Sequence, residues 1–532
     1  MSISKNLSLI IKANQDFIRH TGEDEKINAP VLNVFYESLS ATYIPLLHML
    51  EKLEADGVKF RIGMVLPPIL CNLLSDEKIQ ESFIVYLDKK NELGLKELQR
   101  NASNPDIQKI IQKELDDTAQ IKVDFVEKYN KKLIPVFADF VQKGYLELLG
   151  TCGTDIYLPH YADMKEIVSA QIESGLHSFR QFFGIVPEGF WLPEMGYIPG
   201  IEKLIKAYGY TYTIIDSRSL LLAENCPSTG IFYPARTENS LVLFTNSKNL
   251  TDQIYGDEGF IYHPAYKNQK RDIGYELSTE ELAPVLEEGQ VRFSTGFKYW
   301  NRDFEKEEGC IYNEDAALKQ AKDDAENFLK NVSQTLKKAC ELLPNQDFVT
   351  EVCAFDTDTV CRAWHENLIW LENIIRNAAS YDLTITTCDQ MCGNQFNLEK
   401  FTPYYSAAIG AGYGENLLSS KNCWMMRYIR KACERMIDLA DRFPNDTGLK
   451  TRLLNLGAIE LMLAQSSNLA KTIEDGEFPE FAERRFRESI TAFTAVFDSL
   501  GSNTVSTEWL TTQESRDSIF PWMNYRIFSK KR

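Results

Sequence analysis

The chain has 532 residues and a net charge of −18, with 76 acidic against 58 basic side chains. An acidic surface repels polyanions, which argues against a nucleic acid or an anionic membrane as a partner but allows a neutral substrate such as a sugar polymer. The 11 cysteines form no CxxC pair, and no apolar stretch reaches the roughly 20 residues of a membrane-spanning helix, so we expect a cytoplasmic protein with reduced thiols.

Short runs of β-branched and aromatic residues alternate with helical stretches along most of the chain. This alternation predicts a parallel sheet, and the number of strands favours a barrel over an open sheet. The predicted strands are 7–11, 59–65, 146–149, 189–192, 210–215, 241–245, 291–297, 348–355 and 383–387. The predicted helices between them are 34–54, 164–182, 198–207 and 314–343.

Two regions interrupt the alternation. Residues 76–142 are charged, with apolar residues near a spacing of 3.6, which predicts a helical insertion. Residues 249–274 show no clear period and form a long connection, which is typical of a functional lid. Beyond about residue 395 the strand signal stops, so we expect a barrel domain in 1–395 and a helical domain in 396–532. Its predicted helices are 421–442, 449–469 and 480–500.

Two carboxylic acids directly follow predicted strands. Segment 189–197 reads GFWLPEMGY and contains Glu194, and segment 352–358 reads VCAFDTD and contains Asp356. Barrel enzymes carry their chemistry at the C-terminal ends of the strands, and glycoside hydrolysis uses one ionised and one protonated carboxyl group. A helix cap for Glu194 and an arginine partner for Asp356 would explain the spacing equally well, so spacing alone leaves both interpretations open.

Segment 189–212, GFWLPEMGYIPGIEKLIKAYGYTY, resembles the nucleophile motif of glycoside hydrolase family 57, in the clade of α-glucan branching enzymes and AmyC-like amylases. Matching segments occur in the family's order at 42–47 (TYIPLL), 151–159 (TCGTDIYLP), 295–300 (TGFKYW), 354–358 (AFDTD) and 520–525 (FPWMNY). The resemblance covers nearly the whole chain. It implies an incomplete (β/α)7 TIM-like barrel with a helical insertion and an all-α C-terminal domain.

The resemblance also implies a set of site residues. Glu194 corresponds to the catalytic nucleophile and Asp356 to the general acid/base. Aromatic rings suit the apolar faces of sugars, although each ring alone would serve equally well in core packing. The implied substrate-binding residues are Trp191, Trp300, Trp364, Tyr413, Trp424, Phe260, Asp155, Lys12 and Asn14.

The chain departs from the family pattern at several motif positions, and histidines occupy positions 12, 14, 155 and 218 in the family. Losing one well-placed hydrogen-bond donor typically lowers a rate by about 10²–10³-fold. One hypothesis is that the cation at position 12 lowers the pKa of Glu194. The alternative is that Lys12 and Arg362 bind an anionic group on a different substrate. The replaced positions are Lys12, Asn14, Asp16, Asp155, Arg218, Phe260, Arg362, Asn468 and Leu469.

These observations imply a retaining α-glucan hydrolase or transferase, similar to a 1,4-α-glucan branching enzyme or an α-amylase. Its partner would be an α-glucan or maltooligosaccharide, and we expect no cofactor and no catalytic metal. His365, beside the acid motif, is the histidine expected to reach the cleft. The alternatives are a catalytically impaired homologue that binds glucan or regulates, and an active enzyme for a charged sugar. The sequence does not determine the oligomeric state.

Overall fold

The structure is a computed structural model that describes residues 3–18, 25–287, 289–303, 310–357, 362–393 and 395–531. Its strands form a nine-stranded sheet. Their bounds are β1 Ser4–Lys12, β2 Ile62–Val65, β3 Leu146–Leu149, β4 Gly189–Phe190, β5 Tyr212–Asp216, β6 Ala235–Arg236, β7 Val242–Asn246, β8 Phe348–Asp356 and β9 Thr384–Ile385.

Seven parallel strands curve into a nearly closed barrel, in the order β3-β2-β1-β8-β7-β5-β4. The two end strands meet just beyond β3, where Gly150 forms a parallel bridge with Phe190. In this bridge the Trp191 amide donates to the Gly150 carbonyl at 2.7 Å. Strand β6 lies antiparallel to β7, and β9 runs parallel to the first half of β1. The predicted (β/α)7 TIM-like barrel is therefore confirmed.

Alternate residues of each strand face the barrel interior and the surrounding helices. Ile10 and Ala354 belong to the apolar cluster inside the barrel, whereas Leu9 packs in the outer cluster. This is the period of two that the pleat imposes, and burial on both faces explains the nearly continuous apolar runs of the strands. Because Lys12 and Asp356 follow Ile10 and Ala354 by two residues, their side chains point inward at the C-terminal mouth of the barrel.

The helices surround this barrel. Helix α4 begins where the Asp76 carboxylate accepts the amides of Lys78 and Ile79, and α5 begins where Asn104 accepts the amide of Ile107. With α6 they form the predicted helical insertion. The helices of this part are α1 Glu25–Ser38, α2 Ile44–Ala55, α3 Pro68–Ser75, α4 Glu77–Arg100, α5 Pro105–Val123, α6 Leu133–Gln142, α7 Lys165–Phe183, α8 Ile201–Ala207, α9 Ser217–Leu221, α10 Lys248–Tyr255, α11 Ile273–Glu276, α12 Glu314–Leu342 and α13 Asn367–Asn377.

The C-terminal region is helical and packs directly on the barrel. Gln171 of α7 donates to Gln465 at 2.8 Å, and Ile167 of α7 shares one apolar cluster with Leu461. The boundary at residue 396 stays a prediction. None of the helices in the described residues is long and apolar enough to cross a membrane. The C-terminal helices are α14 Trp424–Arg442, α15 Leu449–Ala464, α16 Ser467–Asp475, α17 Pro479–Ser502 and α18 Thr507–Arg516.

Two predicted segments differ in the structure. Residues 291–297 form no strand, because the Asp272 carboxylate accepts the amides of Thr295 and Gly296, each at 2.9 Å, in place of a neighbouring strand. Residues 249–274 are partly helical, since they contain most of α10 and the start of α11. In 291–297 the backbone amides bind a buried carboxylate, and in 249–274 the backbone groups bind each other within short helices. The spacing of apolar residues in the sequence reveals neither kind of hydrogen bond.

Candidate active site

Lys12, Asp155 and Asp356 meet at the C-terminal mouth of the barrel. Lys12 ends β1 and Asp356 ends β8, and the two are partners in the parallel register. The Lys12 Nζ atom lies 2.8 Å from Asp155 Oδ2 and 3.5 Å from Asp356 Oδ2. Burial lowers the pKa of Lys12, but the charges of Asp155, Asp356 and Glu194 outweigh burial and raise it above the ordinary value. The mouth therefore contains a buried ammonium group whose charge is stabilised by the acids around it.

Glu194 sits in a tight turn, Pro193–Met195, that follows β4. Its φ angle is +52° and that of Met195 is +48°, both in the left-handed region that non-glycine residues rarely adopt. The Glu194 carbonyl accepts the Ala408 amide at 2.8 Å, which fixes the turn against the loop after the barrel. Such backbone strain of about 1–3 kcal/mol per residue persists where the surroundings enforce it and is concentrated at functional sites.

The pKa of Glu194 is raised above its ordinary value. Burial is the largest cause, the ammonium groups of Lys471 and Lys12 act in the opposite direction, and the carboxylates of Asp155 and Asp356 add to the rise. The charge of Lys12 does act to lower the pKa of Glu194, as expected. The pKa of Glu194 is nevertheless raised, because the effect of burial outweighs that of the nearby cations, so the expectation of a lowered pKa is wrong.

A pocket of about 280 Å³ opens between the end of β1 and helix α16, and Asn14, Asn468 and Lys471 contribute to its wall. The side-chain amides of Asn14 and Asn468 exchange hydrogen bonds of 2.7 and 3.2 Å. Sequence reasoning missed Lys471. Its spacing of three residues from Asn468 places both on one face of α16, which is the signal that would have found it.

Two of the predicted sugar-stacking residues are core residues. Trp364 is fully buried, and its ring packs against Tyr266 and Trp370 with ring centroids 5.1 and 5.5 Å away. No face of Trp364 is left for a sugar, so that prediction is wrong. Trp191 is 5% exposed and belongs to the apolar cluster inside the barrel. Trp191 directly follows β4 and Trp364 lies beyond the acid motif, but both side chains point into the core.

Three other aromatic candidates keep some exposure. The Arg271 guanidinium lies 4.4 Å from the centroid of the Trp300 ring, and Trp424 packs edge-on against Phe486 at 5.3 Å. Tyr413 is exposed. The sugar-stacking roles of these residues stay predictions.

Tyr413 stacks on Tyr405 at a centroid distance of 5.7 Å, so one of its ring faces is already covered. Phe260 is partly buried in a single helical turn, Phe260–Tyr262, which follows α10. Its contact with a substrate also stays a prediction.

The arginines at departing positions are paired with acids. Arg218 Nε lies 2.7 Å from Asp216 Oδ1, and Arg362 pairs with Glu477 at 3.1 Å. Neither is therefore an uncommitted cation for an anionic substrate. His365 does not contribute to the pocket beside Asn14. It lines a separate pocket of about 170 Å³ with Glu114 and Lys267, so the expectation that it reaches the cleft is not supported.

The described part of the chain contains no group of three His, Cys, Asp or Glu side chains arranged to hold a metal ion. Residues 358–361 of the acid motif lie outside the described residues. The chemical groups at the mouth are thus the carboxyl groups of Asp356 at the end of β8 and of Glu194 in the turn after β4, the carboxylate of Asp155 and the buried ammonium group of Lys12.

Fold and site together define a barrel protein whose charged groups gather at the C-terminal mouth, the face at which barrel enzymes act. The family model described as glycosyl hydrolase family 57 matches residues 8–352, and the model described as 1,4-alpha-glucan branching enzyme, C-terminal, matches residues 428–528. This chain belongs to glycosyl hydrolase family 57.

Similar proteins include a 1,4-alpha-glucan branching enzyme of Thermococcus kodakarensis, 24% identical over 475 residues, which cover 85% of this chain and 67% of the relative. Among solved structures, the alpha-amylase AmyC of Thermotoga maritima matches with a TM-score of 0.88 at 25% identity and covers 98% of each chain. The branching enzyme of Pyrococcus horikoshii matches with a TM-score of 0.86 at 21% identity, over 99% of this chain and 97% of that one.

Proposed function

We propose that this protein is a retaining α-glucan-active enzyme of the branching-enzyme or α-amylase type. Glu194 is its nucleophile and Asp356 its general acid/base. The observation that carries the proposal is the shared charge environment at the barrel mouth: Lys12 is 3.5 Å from Asp356, and the charges of Lys12 and Asp356 both act on Glu194. Two carboxyl groups at the same barrel mouth are the groups that double displacement requires.

In the first step the Glu194 carboxylate attacks the anomeric carbon of a glucan unit and forms a glycosyl-enzyme bond. The bond to the leaving oxygen breaks at the same time, and Asp356 gives that oxygen its proton. In the second step an acceptor hydroxyl group or water attacks the anomeric carbon, its proton passes to Asp356, and Glu194 is released as a carboxylate. A glucan acceptor yields transfer and water yields hydrolysis.

A neutral glucan fits the site better than a charged sugar. The three cations introduced at departing positions, Lys12, Arg218 and Arg362, each lie within 4.0 Å of an acidic partner. The pocket beside Asn14 combines the amide groups of Asn14 and Asn468 with charged groups such as the paired Arg362 and Glu477, and both kinds of group form hydrogen bonds with neutral hydroxyl groups. Charge repulsion from the net charge of −18 does not act on a neutral polymer.

The proposal is tested with amylose as substrate, by measuring new branch points after enzymatic debranching and new reducing ends. Glu194→Gln removes the nucleophile and is expected to lower the rate by more than about 10³-fold, because both displacement steps pass through its carboxylate. Glu188→Gln is the matched control, since this exposed glutamate lies just before the N-terminal end of the same strand.

Asp356→Asn is expected to lower the rate on amylose by about 10²–10⁴-fold, the usual contribution of general acid/base catalysis. Its control is Asp347→Asn, at the exposed start of β8. Equal rates for Glu194→Gln and the wild type, or no product from the wild type with any linear α-glucan, would contradict the proposed activity.

A second candidate function is glucan binding without turnover. The ion pair between Lys12 and Asp155 favours it, because these two residues stand where the family has histidines and each is the polar partner of the other. In that case maltoheptaose binds to the wild type and to Glu194→Gln with equal affinity in calorimetry, and neither protein consumes it.

A further inference from the structure

The pocket of about 170 Å³ lies where α5 of the helical insertion meets the start of α12. Exposed side chains of α5, such as Lys109 and Asp117, line it together with the buried Lys267 and the partly buried Glu114. It shares no lining residue with the pocket between β1 and α16. A cavity holds one water molecule at roughly 10–15 Å³, so this pocket admits a much larger ligand.

Lys267 is held in place at this pocket without a hydrogen bond to its side chain. It is 5% exposed, its Nζ atom lies 5.3 Å from the centroid of the Tyr312 ring, and its backbone amide donates to Glu366 Oε1 at 3.2 Å. The ion pair with Glu114 Oε2 measures 4.0 Å, which is beyond hydrogen-bond distance. Within the described residues no acceptor therefore binds the Nζ atom, although a buried donor normally has one.

Glu114 presents an acceptor to the same pocket. Its Oε1 atom accepts from Lys90 at 2.6 Å, whereas its Oε2 atom accepts no hydrogen bond in the described part of the chain. Burial acts to raise the pKa of Glu114, but the charges of Lys90 and Lys267 lower it to about 2, so the group is an ionised acceptor. A hydroxyl group satisfies both sides at once, because it accepts from an amine and donates to a carboxylate.

The charges of the pocket favour a neutral ligand. Its lining includes five acidic side chains against three lysines, so an anion would meet an excess of negative charge. The acids are not arranged as a metal site, since no group of three His, Cys, Asp or Glu side chains in the described ranges could hold an ion. A neutral ligand with several hydroxyl groups avoids this repulsion and supplies the missing hydrogen-bond partners, and sugars are such ligands.

We propose that this pocket is a glucan-binding site separate from the barrel mouth, in which a sugar hydroxyl group accepts from Lys267 and donates to Glu114. The inference takes its ligand from the proposed function and rests on it to that extent. A polymer bound here keeps its other chain segments at a high local concentration near the mouth. The site therefore contributes to the retention of glucan and not to the chemical step.

The experiment measures binding of maltoheptaose by calorimetry in Glu194→Gln, the variant that prevents turnover, and two sites are expected. Adding Lys267→Met is expected to weaken one site by at least about tenfold, the usual effect of losing a hydrogen bond to a charged group, and to leave the other unchanged. Glu114 keeps Lys90 as its partner at 2.6 Å, so Lys267→Met leaves no buried carboxylate without a cation.

Two further variants complete the comparison. Lys270→Met changes an exposed lysine three residues further along that does not line the pocket, so this matched control is expected to keep both sites. Ile110→Trp fills the pocket from α5 and leaves its charged groups in place, and it is expected to abolish the same site as Lys267→Met. With the natural Glu194, both pocket variants are expected to keep the wild-type kcat on maltoheptaose.

Hydrogen–deuterium exchange locates the bound sugar. In Glu194→Gln, maltoheptaose is expected to slow exchange in peptides that cover 105–123 and 264–271. This protection is expected to disappear when Lys267→Met is added.

The inference is overturned if Glu194→Gln binds maltoheptaose at a single site that neither Lys267→Met nor Ile110→Trp weakens, with all variants folded by circular dichroism. It is also overturned if sodium phosphate, and not maltoheptaose, gives the binding heat that Lys267→Met removes, because the pocket would then be an anion site. Turnover of amylose tests the proposed function separately. If the wild type forms no product from amylose but both maltoheptaose sites are found, the proposed function fails and the inference stands.

Discussion

Residues at which the chain departs from its family pattern contact one another. Lys12 pairs with Asp155, and Asn14 exchanges two hydrogen bonds with Asn468. Each new side chain satisfies the polar groups of another new side chain, which is the condition for polar groups in a partly buried site to be tolerated. These four departures therefore form two matched pairs, and the energetic effects of the two members of a pair should depend on each other.

This dependence is measurable for the two asparagines. Asn14→Ala and Asn468→Ala are each expected to lower the free energy of unfolding by about 1 kcal/mol, because each leaves the amide of its partner without a bond. The double variant is expected to lose less than the sum of the single variants, with a coupling of about 0.5–1 kcal/mol in urea unfolding. Asn14→Ala combined with Asn331→Ala should be additive, because the Asn331 amide donates to Gln253 and not to Asn14 or Asn468. Additivity of Asn14→Ala with Asn468→Ala would contradict the matched-pair interpretation.

The acids that form the site were predictable at the residue scale because they directly follow strands, and the parallel register then brings Lys12 beside Asp356. Lys471 was not predictable in the same way, since its effect on Glu194 depends on how α16 packs over the barrel mouth. The sugar-stacking prediction for Trp364 was wrong for a different reason. Its place near the acid motif is correct, but the direction of its side chain is set by packing against Trp370.

At the scale of elements, most strands were predicted to within a few residues, because strands buried on both faces are runs of apolar residues. The predicted 7–11 corresponds to Ser4–Lys12 and the predicted 146–149 to Leu146–Leu149. Segment 291–297, which was also predicted to be a strand, has a similar apolar composition to the observed strands but no strand beside it to pair with. Its amides bind the side chain of Asp272, a long-range pairing that a local pattern does not contain.

Helix α7 approaches the loop after β3 so closely that only glycine fits at position 175. A Cβ atom on Gly175 would lie 1.8 Å from the Thr151 carbonyl oxygen. Gly175→Ala is therefore expected to lower the free energy of unfolding by about 1–3 kcal/mol or more and to weaken the ion pair of Asp155, four residues further along the loop. Gly501→Ala in α17 meets no atom within 4 Å and is expected to stabilise by about 0.5–1 kcal/mol. Equal unfolding midpoints in urea for the two variants would contradict this close packing.

Strand β3 carries a buried acid, Glu147, inside the barrel. Burial and the charge of Asp389 raise its pKa from 4.5 to about 8, against a hydrogen bond from Tyr212 and the charge of Arg61, which lower it. Between these two pH values the native state binds more protons than the unfolded chain. The free energy of unfolding should consequently fall as the pH rises from about 4.5 to about 8, by at most roughly 1.4 kcal/mol per pH unit from this group.

Glu147→Gln mimics the neutral form and should remove this contribution. Its advantage in stability over the wild type is therefore expected to grow as the pH rises towards 8 and then level off, as measured by urea unfolding at a series of pH values. Glu341→Gln, an exposed acid at the end of α12, should run parallel to the wild type. Parallel profiles for Glu147→Gln and the wild type would contradict the raised pKa.

At the scale of the whole molecule, the barrel and the C-terminal helices share one apolar core. A single cluster contains Leu9 of β1, Ile167 of α7, Leu461 of α15 and Phe493 of α17. The sequence predicted a change from strands to helices near residue 395, because the period of its apolar residues changes there. It did not predict that the two regions bury their apolar residues against each other, since no local period records which helix packs on which strand.

A shared core predicts that both regions unfold together. Leu461→Ala removes a fully buried side chain of α15, and its expected loss is about 2–5 kcal/mol in the free energy of unfolding. Because the core is continuous, calorimetry should show one transition, which moves to lower temperature as a whole, and loss of activity on amylose should follow the same curve. Leu342→Ala, at a site that is 77% exposed, should leave the transition in place. Two separate transitions, of which Leu461→Ala moves only one, would show that the helices and the barrel are independent units, and the pocket between β1 and α16 would then open before the barrel melts.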